Sequence, residues 1–186
     1  MTGLQKSQSR LSIRDLELIH LSHGSHITRE NGVCAMEAAA WLAGREHNDH
    51  PICVSPTIGA FMRSWNDSLP SDTERDRLLK PLLPQILQTV STKEIEKERG
   101  WMAVDWLART FTPSFLVHVP KLRVHAEALR NLDQFMADTW NRNGPVLNAA
   151  RAAARAAAGR SLAPIVASLQ ESAQELVRSM VRVSKQ

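Results

Sequence analysis

The stretch that most constrains this chain is VCAMEAAAWLAG, Val33–Gly44, bracketed by Gly32 and Gly44. Alanine is the best helix former, and a glycine just past a helical run takes the left-handed conformation that stops it. The run therefore predicts a helix with a fixed end. The same grammar recurs downstream. Thr57–Leu69 places Ile58, Phe61, Met62 and Trp65 at helical spacing. Ser71 with Glu74, and Ser91 with Glu94, match the capping box that opens a helix. The first box leads into Leu78, Leu79, Leu82 and Leu83, where Pro81 and Pro84 must kink or break the helix. The second leads into a long helix to Phe111, with Pro113 just beyond its end.

Two shorter helices are expected over His125–Asn131 and Leu132–Trp140. Gly144–Pro145 opens a last helical part made of LNAARAAARAAAG and LAPIVASLQESAQELVRSMVRV. Ile13–Leu21 stays open between helix and strand, and residues 1–12 are polar and expected to be flexible. No second boundary interrupts this pattern. The expectation is an all-α, single-domain helical bundle over residues 1–186, with irregular, Pro-rich connections.

Composition sets outer limits. Apolar residues make up 43% and charged residues 23%, a globular balance. A net charge of +4 permits an anionic partner without requiring one. No run of about 20 apolar residues exists to span a bilayer, and MTGLQKSQSRLS lacks the apolar core of a signal peptide. A cytoplasmic location without membrane contact is the expectation, with Cys34 and Cys53 reduced. Arg151 and Arg155, four residues apart, share one helix face. A solvated Arg face over closely packing alanines is the ordinary use of that spacing. Nucleic acid, which would need a phosphate-binding stripe there, ranks last among partners.

Chemistry concentrates between His23 and Cys53. That window holds four of the seven histidines and both cysteines, together with Glu30, Glu37 and Asp49. Imidazole titrates near neutrality and binds metals, and cysteine supplies a thiolate, so their company suggests a site. Three readings of it compete with a bland one, in which the histidines cap helix ends and the cysteines fill core. In the first, His26, Arg29, Glu30, Cys34, Glu37, Trp41, His47 and His50 form a polar pocket. Its guanidinium and imidazole groups would hold a phosphate or carboxylate, and the indole face would pack a ring. For Trp41 alone, core packing is the commoner use. In the second, Cys34, His47, His50 and Cys53, spaced C-x12-H-x2-H-x2-C, hold zinc, with Glu37 or Glu30 as general base. The ligand types fit; the spacing is not that of a finger. In the third, Cys34 sits in the first turn of its helix, where the dipole lowers its pKa and makes it a nucleophile. His47, His50, His118 or His125 would be its base. Two smaller features each have two readings. Trp65-Asn66-Asp67 caps a helix or contributes to the pocket, and Asp105 is buried and paired with Arg109 or forms an exposed i, i+4 pair with it. Capping and the exposed pair are the more ordinary uses.

The run GSHITRENGVCAMEAAAWLAG, followed by HNDHP and FMRSWNDSLP, resembles a family found in bacteriophage and actinobacterial genomes for which no activity is established. WMAVDWLARTFTPSFL and the Arg-Ala repeat are similar to that family too, so the likeness covers most of the chain. It implies no functional residue; the phage association points toward host interference. Together these readings give a non-catalytic binding protein without a cofactor, sequestering a small anionic or nucleotide-like ligand or a host protein. Homo-oligomers are left open. The alternative is a zinc-containing or cysteine-dependent enzyme built on the His23–Cys53 cluster.

Overall fold

The computed structural model of the chain describes residues 11–139, Asn143, Val146 and the helix Ala163–Val183. Trp140 and the Arg-Ala run with Arg151 and Arg155 lie outside the described residues, as do residues 1–10. The chain is all-α, and no strand occurs among the described residues. It gathers into two compact units, one ending at Thr92 and the other formed by Lys93–Val183.

In the first unit, α1 (Ile13–Leu16) opens on Ser12, whose hydroxyl accepts the Asp15 N–H at 3.1 Å. Leu11 is buried and donates its N–H to the Trp41 carbonyl, so the loose segment expected at the N-terminus does not extend to it. Helix α2 (Ala35–Leu42) ends as the sequence dictates. Gly44, at φ 66°, lets Arg45 donate back to Ala40 and Gly44 to Trp41, the paired bonds of a Schellman stop. Helix α3 (Pro56–Ser68) is capped by the Ser55 hydroxyl, with Pro56 at its first position, where no N–H is missed. Ser71 caps α4 (Asp72–Leu79) through the Glu74 N–H. The two prolines then act as anticipated. The chain tightens into a 3-10 turn, Lys80–Leu82, and resumes as α5 (Leu83–Ile86). Helix α2 packs on α3 and α5, and α3 on α4. Met36, Ile58, Met62, Leu79, Leu82 and Leu83 are wholly buried in this core.

In the second unit, α6 (Lys93–Asp105) passes without interruption into a π-helical segment, Trp106–Phe111, and then α7 (Thr112–Leu116). The sequence suggested that this helix ends at Phe111. Instead it runs through Pro113, because the wider π turns change the hydrogen-bond register just before the residue that has no N–H to give. Helix α8 (Arg123–Arg130) packs on α7, and α9 (Ala163–Val183) on α6 and α7. The core holds Ala108, Leu116, Leu122, Ala126, Leu129 and Phe135.

The helix expected over Leu132–Trp140 is not formed: residues 133–136 have no regular structure and 137–139 make a turn. Side chains satisfy the backbone there instead. Asp105 accepts the Phe135 N–H at 2.8 Å, and Thr139 accepts from Met136 and donates to Gln134. Asp105 is thereby half-buried and also pairs with Arg109 at 3.2 Å, rather than forming an exposed pair.

Candidate functional site

Glu37 organises the chemistry-bearing segment. It lies three residues into the helix whose N-cap is Cys34, and its side chain turns back to accept the Cys34 N–H at 2.8 Å. The Cys34 sulfur takes the Glu37 N–H in return, at 3.4 Å, so cysteine plays the part usual for serine in a capping box. At 1% exposure, a carboxylate needs further partners, because unpaired burial of charge is costly. His26 provides two. Its N–H donates to Glu37 Oε1 at 2.6 Å, and its ring Nδ1 to Oε2 at 2.9 Å. His47 closes the cluster: its Nε2 donates to the His26 carbonyl at 3.1 Å and stands 3.7 Å from Glu37 Oε1. Burial alone would push the Glu37 carboxyl up. The N–H groups of Cys34 and His26, with the His26 ring, outweigh it and hold the carboxyl below its ordinary value.

Ser22 joins from the other side of His26. In the neutral ring with Nδ1 donating to the carboxylate, Nε2 presents its lone pair, and the Ser22 hydroxyl lies 3.2 Å from it. Ser22 Oγ also accepts the Val33 N–H at 3.1 Å. Gly32, at φ 138°, makes the pair possible: a methyl there would stand 2.5 Å from the His26 ring and 2.8 Å from Ser22 Oγ. The next N–H along, that of His23, has no acceptor among the described residues. Gly24, at φ 79°, turns the chain and donates to Asp67. Asn66 completes the frame. Its carbonyl oxygen accepts the Ala35 N–H and its amide donates to the Ser22 carbonyl. Asn66 and Asp67 thus fasten the loop to α2, where a helix cap was expected.

The structure therefore bonds His26, Cys34, Glu37 and His47 into one cluster, with Glu30 within electrostatic reach of His47, and leaves the other expected residues outside these bonds. The Arg29 guanidinium lies over the Trp41 indole, 4.4 Å from its centroid, and burial lowers its pKa against the pull of Glu30. Trp41 is half-buried beneath that guanidinium. Glu30 is exposed. His50 is 64% exposed and bonds Asp49. Among the described residues no group of three His, Cys, Asp or Glu side chains is placed to hold a metal ion, which leaves Cys34, His47, His50 and Cys53 without the arrangement zinc needs. The surroundings of Cys34 do not favour it as a nucleophile either. Its thiol is buried and pushed up to about 12, first by that burial; the helix start supplies too little to offset it.

A second concavity lies across the α2–α3 face of the same unit. Loop 50–56 folds back and is tied down where Thr89 donates its N–H to Cys53 and accepts from Ser55. The space left is about 330 Å³, walled mainly by Met36, Pro51, Ile52, Val54 and Val90. Gly59 lies on its wall, and a methyl there would press to 3.3 Å on the guanidinium of Arg63. Arg63 is the cation of this wall. It donates to the Asp49 carbonyl at 3.0 Å and pairs with no carboxylate among the described residues. Ile52 and Val90, 78% and 53% exposed, flank the opening. Of the residues singled out in the sequence, His50 alone reaches this cavity. Arg63, on a helix read only for its apolar spacing, carries no sequence signal that would have found it.

Compared with known proteins, the chain matches no family model, no curated protein and no solved structure. No helix among the described residues is long and apolar enough to cross a membrane.

Proposed function

We propose that this protein binds a small ligand with an apolar body and a single anionic end, in the cavity walled by Met36, Val54 and Val90. The observation that carries this reading is Arg63: a guanidinium with no carboxylate partner among the described residues, on the wall of a mainly apolar space that His50 and Ser55 also border. Ligand cavities commonly take this form, with apolar walls and a few placed polar groups. A guanidinium meets a carboxylate through two parallel N–H bonds, which fixes the ligand's orientation as well as its charge. A volume near 330 Å³ suits a compact acyl carboxylate. A nucleotide fits less well, since its base edges and phosphate oxygens would need several polar partners and the walls supply few. Exposed Ile52 and Val90 give a longer tail an apolar path out.

Thermal unfolding with octanoate or decanoate, against the alcohols of the same chain length, tests this directly. A ligand that binds only the folded chain raises the midpoint as its concentration passes Kd. The carboxylates should raise it and the alcohols should do so far less; Arg63→Met should remove the difference. Equal effects of acid and alcohol, or an unchanged response in Arg63→Met, would refute the reading.

A further inference from the structure

We propose that Ser22 is a nucleophile toward small carboxylic esters, with His26 as its general base and Glu37 as the residue that positions His26. None of the three lines the cavity, so this activity is independent of the ligand reading above.

The connectivity supports the roles. Ser22 Oγ stands 3.2 Å from His26 Nε2, and His26 Nδ1 stands 2.9 Å from Glu37 Oε2. Base catalysis at a serine needs this order: hydroxyl to one ring nitrogen, a carboxylate fixing the proton on the other. The carboxylate is itself immobilised by the N–H groups of His26 and Cys34, so it cannot swing away from the ring. Ser22 is half-buried just before an exposed turn closed by Gly24, and the His23 N–H, which has no acceptor among the described residues, follows it in the chain. An N–H in that position can donate to the oxyanion that forms when the residue before it attacks a carbonyl. Gly32 approaches Ser22 Oγ and the His26 ring closely from one side, so a small acyl group suits this site better than a bulky one.

The reaction balances without any co-reactant except water. Ser22 Oγ bonds to the ester carbonyl carbon while its proton passes to His26 Nε2. The carbon–oxygen bond to the alcohol breaks, and the alkoxide leaves with that proton. Water then attacks the acyl-serine, gives its proton to His26, and releases the acid as the proton returns to Ser22.

A fluorophosphonate probe reads the same nucleophile, forming an oxygen–phosphorus bond and releasing fluoride. The intact protein is treated with the probe, and the adduct is located by peptide mass spectrometry. We expect one adduct, on Ser22. His26→Ala should slow its formation at least about 100-fold, the usual size of a general-base contribution, and added imidazole should restore part of the rate. Glu37→Asp should keep more of the rate than Glu37→Gln, whose amide has no second acceptor for the ring. Mapping on the unaltered protein decides the matter even where a variant fails to fold. No adduct at Ser22, or labelling that persists in folded His26→Ala, would overturn the proposal.

Discussion

Replacing Gly32 with alanine isolates what holds the His26 loop together. Gly32 has φ 138° and ψ 173°, a region open essentially to glycine alone. The backbone penalty for a side chain there is about 1–3 kcal/mol. The added methyl would also meet His26 Cδ2 and Nε2 at 2.5 Å and Ser22 Oγ at 2.8 Å. His26 cannot retreat freely, because its ring and N–H are both bound to Glu37. Overpacking of this kind costs a further ~1–3 kcal/mol. Gly24 supplies the control: at φ 79° it also needs glycine, but nothing lies within 4 Å of its would-be methyl, so only a backbone term of about 1–2 kcal/mol applies. For a chain of this length each kcal/mol moves the melting midpoint by roughly 2–4 °C. Gly32→Ala should therefore lower it by about 10 °C and Gly24→Ala by about 4 °C. Thermal unfolding followed by circular dichroism, with urea midpoints from tryptophan fluorescence, measures both. Adding His26→Ala to Gly32→Ala should cost less than the two changes summed, since it takes away the ring that the added methyl strikes. A Gly32→Ala protein no less stable than Gly24→Ala would refute this account of the loop.

Two other consequences concern titration and thiol reactivity. Glu37 sits below its ordinary value of 4.5, so the stability it contributes is fully present above that pH and is lost as pH falls toward the lowered value. Urea midpoints between pH 7 and 3 should show this acid limb, and Glu37→Gln should flatten it while costing stability at pH 7; an unchanged limb would count against the assignment. Cys34, buried and with its thiol pushed up to about 12, presents very little thiolate at pH 8. Iodoacetamide should modify half-exposed Cys53 first and reach Cys34 only on unfolding, which peptide mapping over time resolves. Equal rates would mean that the Cys34 cap opens readily.

The helices were legible in the sequence wherever one local bond decides an end. Gly44 stops α2 and Ser71 starts α4 because each acts on backbone groups a few residues away, and Pro81 and Pro84 break a helix for the same local reason. Residues 133–139 misled because their backbone partners are distant: Asp105 takes the Phe135 N–H across thirty positions, and helical spacing says nothing of it. The candidate site divides along the same line. Composition placed His26, Cys34, Glu37 and His47 in one window, and the helix start made Glu37 reach back to Cys34. Only the folded chain determined that Cys34 is buried, that Ser22 rather than a cysteine faces His26, and that Arg63 stands on a mainly apolar wall without a carboxylate partner among the described residues. Burial, charge pairing and the approach of loop to helix depend on which segments meet, and that is a property of the packed structure rather than of neighbours in the sequence.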